Sequence, residues 1–299
     1  MEKITIQFLG TGNAIPTKLR NHTGILLSFA NEQILIDCGE NIQRQCRHAG
    51  ISPAKLTRIL ITHWHGAHIL GLPGLLQTLA MGNYSKTLQL YGPAGTRRHF
   101  HTILELLHGL RIPVEVHEIQ KGIFLEKKIF QIEALPMEHG IPALAYAIIL
   151  KDQRHLDRKK IRKLSLPNTP MLGELQAGKD ILFQGKKILA KNVSFIEKGK
   201  KVSIILDTAL HPNTLSIAKN SDLLIAEATF AREEEALAKE YKHLTAEHSA
   251  LIAKKAKVKK LILTHISERY EHNLNKIEKE AKKIFKNTVI AKDFDKYII

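Results

Sequence analysis

The chain is poor in cysteine: Cys38 and Cys46 are the only two among 299 residues. That excludes a disulfide framework and fits a reducing compartment, and neither residue belongs to a CxxC zinc motif. Long hydrophobic runs are missing as well. ALAYAIIL at 143–150 is far too short to span a bilayer, and the opening MEKITIQFLG reads as a strand, not a signal peptide. No repeat of solenoid period is present. Acidic residues are outnumbered, 29 Asp and Glu against 45 Lys and Arg, for a formal charge of +16. The absences point to a soluble cytoplasmic protein with no membrane partner. The basic excess suits a polyanionic partner, nucleic acid first, and equally describes a well-solvated surface. At 44% hydrophobic and 25% charged residues, the composition excludes disordered, collagenous and fibrous classes. The length allows one large α/β domain or two small ones.

Short apolar runs of strand type recur at 4–9, 24–29, 33–38, 58–63, 87–92, 114–119, 129–135 and 143–150, then at 201–207, 222–228 and 260–265. Between several of them, apolar residues at three- and four-residue spacing predict helices at 40–50, 68–80, 95–107, 245–256 and 272–285. The pattern predicts two sheets sandwiched between helices. The runs at 58–63, 201–207, 222–228 and 260–265 each end in Asp, Glu, Thr or His. Chemistry in layered α/β folds collects beyond the carboxyl ends of strands, so four such endings point to one shared site.

The stretch LITHWHGAHILGLPG, residues 60–74, places His63, His65 and His68 directly after an apolar strand. A lone histidine is usually structural; three within six residues are candidate metal ligands. His63 and His65, two apart at a strand end, leave on one side. His139, Asp207 and His265 also follow strands. Five histidines and one carboxylate suit zinc, and a bridging aspartate suits a two-metal site of the kind that serves in-line displacement.

At these residues the sequence resembles the metallo-β-lactamase superfamily and, within it, the ribonuclease Z family of tRNA 3′-processing endonucleases. The likeness runs along nearly the whole chain. It begins with FLGTGNAIPTKLRN (8–21) and LIDCGENIQRQ (35–45), and continues through THWHGAHILGLPGLL (62–76) and MEHGIPALAY (137–146). LDT (206–208), AEAT (226–229), HLT (243–245) and THISERY (264–270) complete the ordered set. The resemblance implies an α/β fold, the metallo-β-lactamase αββα sandwich over residues 1–299, with a protruding exosite arm. It implies that His63, His65 and His139 hold one zinc, that His68 and His265 hold a second, and that Asp207 bridges them. Glu227 and His243 resemble the family's acid pair, placed to protonate the leaving 3′ oxygen. The implied partners are precursor tRNA and a second copy of the chain.

Residues 151–180 are basic, contain two prolines and interrupt the strand series, with short helices predicted near 156–164 and 171–177. They resemble the family's tRNA-gripping arm, with TPMLGELQAG (169–178) in place of a signature that opens on glycine rather than Thr169. Arg154, Arg158, Lys159, Lys160, Arg162 and Lys163 are the expected phosphate contacts, with Pro170 and Gly173 from the signature. Two further departures are Asn41 for a glycine and Ala226 for a histidine. A third matters more. The family pattern H-x-H-x-D-H has Ala67 at its aspartate, the carboxylate that ligates the second zinc and orients or deprotonates the attacking water. A methyl group does neither. The expectation is an endoribonuclease that binds precursor tRNA but cuts it poorly, its second zinc weak, through an introduced Asp-to-Ala change. The alternatives are another phosphodiesterase of this fold or a natural, catalytically dead RNA-binding homologue.

Overall fold

The computed structural model describes residues 3–299. The first half lays down β1 (Thr5–Gly10), β2 (Gly24–Phe29), β3 (Glu32–Ile36), β4 (Arg58–Leu60), β5 (Leu88–Gly92) and β6 (Val114–Glu118). Helices α1 (Ile42–His48), α2 (Gly66–Ile69), α3 (Leu72–Met81) and α4 (Thr96–Leu106) fall between them. The chain then crosses to a second sheet through β7 (Gly122–Glu126), β8 (Phe130–Met137) and β9 (Ala143–Leu150).

An excursion follows, built from β10 (Gln153–Leu156), α5 (Arg158–Lys163), α6 (Pro170–Gln176), β11 (Ile181–Phe183), β12 (Lys186–Ile188), α7 (Ala190–Val193) and β13 (Ser194–Glu197). The second sheet resumes with β14 (Lys201–Ile205), α8 (Pro212–Ala218), β15 (Leu223–Glu227), α9 (Glu235–Tyr241) and α10 (Ala246–Lys255). It finishes with β16 (Leu261–Thr264), α11 (Leu274–Ile284) and β17 (Thr288–Ile290), before β18 (Lys296–Ile298) returns to the first sheet.

Each sheet has seven strands, in the orders β18-β1-β2-β3-β4-β5-β6 and β17-β16-β15-β14-β9-β8-β7. Strands β3 to β6 run parallel, as do β14 to β17, so both sheets deliver several strand ends to the same side. Their inner faces meet in one core containing Phe8, Ile36, Tyr146, Ile204, Ile225 and Ile262, all fully buried. The outer faces bury Leu72, Leu75, Leu76 and Leu79 of α3 on one side and Ala250, Ile252, Ala253 and Ile277 of α10 and α11 on the other. The layers are therefore helix, sheet, sheet, helix, as the strand and helix pattern implies. Among the described residues no helix is long and apolar enough to cross a membrane.

The excursion is longer than the predicted 151–180. Strand β13 closes it by pairing with β10, Gln153 opposite Glu197. It also has its own small core of Ile161, Leu166, Leu175, Ile181, Ile188 and Val193. Thr169, where a glycine is expected, has φ −130° and caps α6 in an extended conformation open to any residue. Asn41 is different: φ is +67°, the left-handed region, and asparagine is among the few side chains that tolerate it.

Candidate metal centre

Six strand ends, those of β3, β4, β8, β14, β15 and β16, supply the site. Beyond β3, Asp37 is fully buried with φ +57°. Its Oδ1 accepts the Thr62 N–H at 2.7 Å, and its Oδ2 accepts the Thr62 hydroxyl and the His68 Nδ1–H, each at 2.7 Å. One carboxylate thus shapes the segment after β4 and aims Nε2 of His68 into the cavity. Two bonds across the sheets lie beneath: Tyr146 donates to the Ile61 carbonyl at 2.7 Å, and Leu144 N–H to the Thr62 carbonyl at 2.9 Å.

All six predicted ligands come together. His63, His65, His139 and Asp207 present donor atoms within 4.8 Å of one another, and so do His68, Asp207 and His265. Asp207 stands between the two groups. Its Oδ2 lies 3.5 Å from His63 Nε2 and 3.9 Å from His139 Nε2; its Oδ1 lies 3.3 Å from His68 Nε2 and 3.2 Å from His265 Nε2.

Hydrogen bonds outside the cavity settle the tautomers. The Nδ1–H of His139 donates to the Lys242 carbonyl at 3.1 Å. Thr229 uses its proton on Glu227 Oε2 at 2.5 Å, so its hydroxyl oxygen accepts from His265 Nδ1 at 2.8 Å. The Nε2 atoms of His139 and His265 therefore face inward as bare lone pairs. His68 Nε2 and His265 Nε2 approach to 3.3 Å, and buried His63 Nε2 and Asp207 Oδ1 have no hydrogen-bond partner. Converging acceptors that lack protons fit a cation, and nitrogen with carboxylate donors suits a zinc-type metal.

Protonation agrees with that reading at His63 and His265. Burial pushes His63 well below its ordinary value, helped by the neighbouring imidazoles, and burial lowers His265 to about 4. Against its own burial, His68 is pushed up to about 10 by Asp207 and Asp37. Loading a metal at this position must displace that proton.

Glu227 and His243 also meet. Both carboxylate oxygens lie 3.1 Å from His243 Nδ1, and Glu227 Oε1 accepts the Thr208 N–H at 2.8 Å. His243 Nε2 lies 3.9 Å from Asp207 Oδ2, on the cavity side. Burial opposes charge on both residues, yet Glu227 raises His243 to about 9 and His243 lowers Glu227. Ala67 sits on α2 and lines the same cavity of about 710 Å³, adding no ligand.

The predicted arm residues lie elsewhere, on the excursion. Arg158, Lys159, Arg162, Lys163, Pro170 and Gly173 are exposed, and Gly173 has nothing within 4 Å of where a Cβ would stand. Arg154 is half-buried and donates to Ser194 Oγ at 2.8 Å, while Lys160 donates to the Asn192 carbonyl at 2.9 Å. Sequence reasoning assigned no role to Asp37, Thr229 or the Lys242 carbonyl. Asp37, an aspartate directly after an apolar run, carried the same strand-end signal as Asp207.

The family model described as Anti-Pycsar protein Apyc1 matches residues 4–159. Along nearly the full length, the chain is 41% identical over 295 residues to a ribonuclease Z of Listeria welshimeri, covering 96% of both chains. Among solved structures, the short form of human tRNase Z superposes with a TM-score of 0.72 at 26% identity, covering 98% of each chain. The metallo-β-lactamase fold protein YhfI of Bacillus subtilis gives 0.74 at 19% identity over 100% of both, a likeness of fold alone. Fold, site and full-length identity agree: the chain belongs to the ribonuclease Z family.

Proposed function

We infer that this protein is a metal-dependent endoribonuclease that acts on the 3′ end of precursor tRNA. The observation that carries the reading is the convergence of His63, His65, His68, His139 and His265 on Asp207. Zinc is the proposed metal, held by His63, His65, His139 and Asp207 at one position and by His68, Asp207 and His265 at the other. A metal pair there supplies Lewis acidity toward phosphate oxygens and a nucleophile at neutral pH.

The chain's own residues do the rest. Asp37 and Thr229 hold His68 and His265 in register. His243, kept in contact with Glu227, holds a proton on the cavity side and delivers it to the departing 3′ oxygen, a poor leaving group without it. Ala67 offers no carboxylate to orient the attacking water, so we expect slow cutting with RNA binding intact. The exposed Arg158, Lys159, Arg162 and Lys163 supply phosphate contacts, and the charge of +16 makes binding salt-dependent.

A homodimer is part of this proposal and rests on the family resemblance. The arm leaves β9 at Leu150 and rejoins β14 at Lys201, whereas Asp207 lies beyond the opposite end of β14, a placement that suits an arm serving a second copy's cavity.

The test is incubation of Ala67→Asp with a trailer-bearing tRNA, followed by mapping of the cut. Cleavage after the acceptor stem is the expected result. Binding without any gain of cleavage would favour the reading that Ala67 supports second, an RNA-binding homologue without activity.

A further inference from the structure

Large apolar side chains are not left in water at random around the cavity. Ile15, Leu70 and Tyr241 all line it, and each is 55% exposed. Neighbouring exposed apolar groups at the rim of a functional cavity mark a surface that another molecule covers. The cavity volume of about 710 Å³ lies in the ~300–1,000 Å³ range of ligand sites.

Two aromatic rings border this space, and they differ. Phe230 is 5% exposed and is covered by the Arg269 guanidinium, 5.2 Å from the ring centroid. Tyr241, 55% exposed, is the more open of the two rings. Its backbone is fixed: it ends α9, and Lys242 follows in the left-handed conformation at φ +55°. His243 N–H bonds to the Ala238 carbonyl at 2.7 Å, and the Lys242 carbonyl receives His139 Nδ1–H at 3.1 Å. Three consecutive residues thus carry an exposed ring, a carbonyl that aims a candidate metal ligand, and a candidate acid.

We propose that Tyr241, which shares the cavity lining with Ile15 and Leu70, is a stacking platform for one unpaired nucleobase, that of the nucleotide just 5′ of the cut. The inference rests on the function proposed above. A phosphate that reaches the floor of this cavity draws its flanking nucleotides out of the helical stack. Unstacked bases are held by aromatic faces in a sequence-tolerant way. The 5′ side is assigned because Tyr241 lies two residues from His243, which faces the departing 3′ oxygen of that nucleotide. The positive charge of the chain suits the same occupant.

The test uses trailer-bearing tRNA with 2-aminopurine, whose fluorescence falls on stacking, placed either at the last nucleotide before the cut or at the first trailer nucleotide. With the chain as it stands and with Tyr241→Phe, quenching is expected at the first position. With Tyr241→Ala it is lost, while tRNA still binds through the arm. In the Ala67→Asp background, Tyr241→Ala should lower kcat/KM about ten-fold, the scale of one lost base stack, with Tyr241→Phe restoring it. Equal quenching with Tyr241→Ala, or Tyr241-dependent quenching only at the trailer nucleotide, would overturn the assignment. Absence of any tRNA binding would remove the functional reading beneath it, and this inference with it.

Discussion

The two ligand groups of the cavity share Asp207 and differ in almost everything else. The first, His63, His65, His139 and Asp207, has four members and opens to solvent at His65; the second, His68, Asp207 and His265, has three and is buried throughout. The first offers four donor side chains. The second is better held, with Asp37 behind His68 and Thr229 behind His265, yet offers three. Geometry around a site and the number of ligands in it are thus separate quantities. On the function proposed above, Ala67 lowers the number of ligands and leaves the surrounding geometry in place.

The comparison breaks most severely through the shared residue. Asp207→Ala should empty both positions, seen as loss of bound metal by elemental analysis together with loss of any residual cleavage. Next in size is Ala67→Asp. Metal content should rise from about one to about two per chain as the second position gains its fourth ligand. Trailer cleavage should rise by roughly 10²–10⁴-fold if the carboxylate serves as a base. Asp37→Asn should act chiefly on the second position, weakening its metal affinity about 10–100-fold in the Ala67→Asp background. Metal titration should find a smaller fall at the first position, which Asp37 reaches only through Thr62.

The smallest effect belongs to Trp64, which lies between His63 and His65. Its indole N–H donates to Thr96 Oγ1 at 2.8 Å, and its ring stacks on His99 with centroids 4.9 Å apart. Trp64→Phe keeps the ring and deletes one hydrogen bond, worth about 1 kcal/mol, so first-position affinity should fall only several-fold. A larger fall at the second position than at the first would contradict the division between the groups.

Much of the site was legible because every candidate ligand follows an apolar run, and the layered fold brings such ends together. The strand and helix series was legible too, with β9 matching the 143–150 run end to end. The strand predicted over 58–63 stops at Leu60 because the Thr62 N–H turns to the Asp37 carboxylate instead of a ladder carbonyl. That bond joins residues 25 apart through the parallel β3–β4 pairing, which no local pattern displays. Helix α9 escaped notice because EALAKEY buries only Ala238 and has too narrow an apolar stripe to read. The arm's outer limit was hidden for a related reason. Its closing strand β13 pairs with a strand some forty residues earlier, a partner that no local pattern displays.

The far end of the chain bears on the near end. Asp293 accepts the Thr11 hydroxyl at 2.7 Å and the Asn21 N–H at 2.8 Å, and Arg20 donates to the Ala291 carbonyl at 2.8 Å. These bonds anchor both ends of the loop that carries Ile15, while β18 covers the free edge of β1. The wall of the pocket mouth is therefore completed by residues beyond Lys292. A chain cut at 290 should retain its histidines but lose the shape of the pocket mouth.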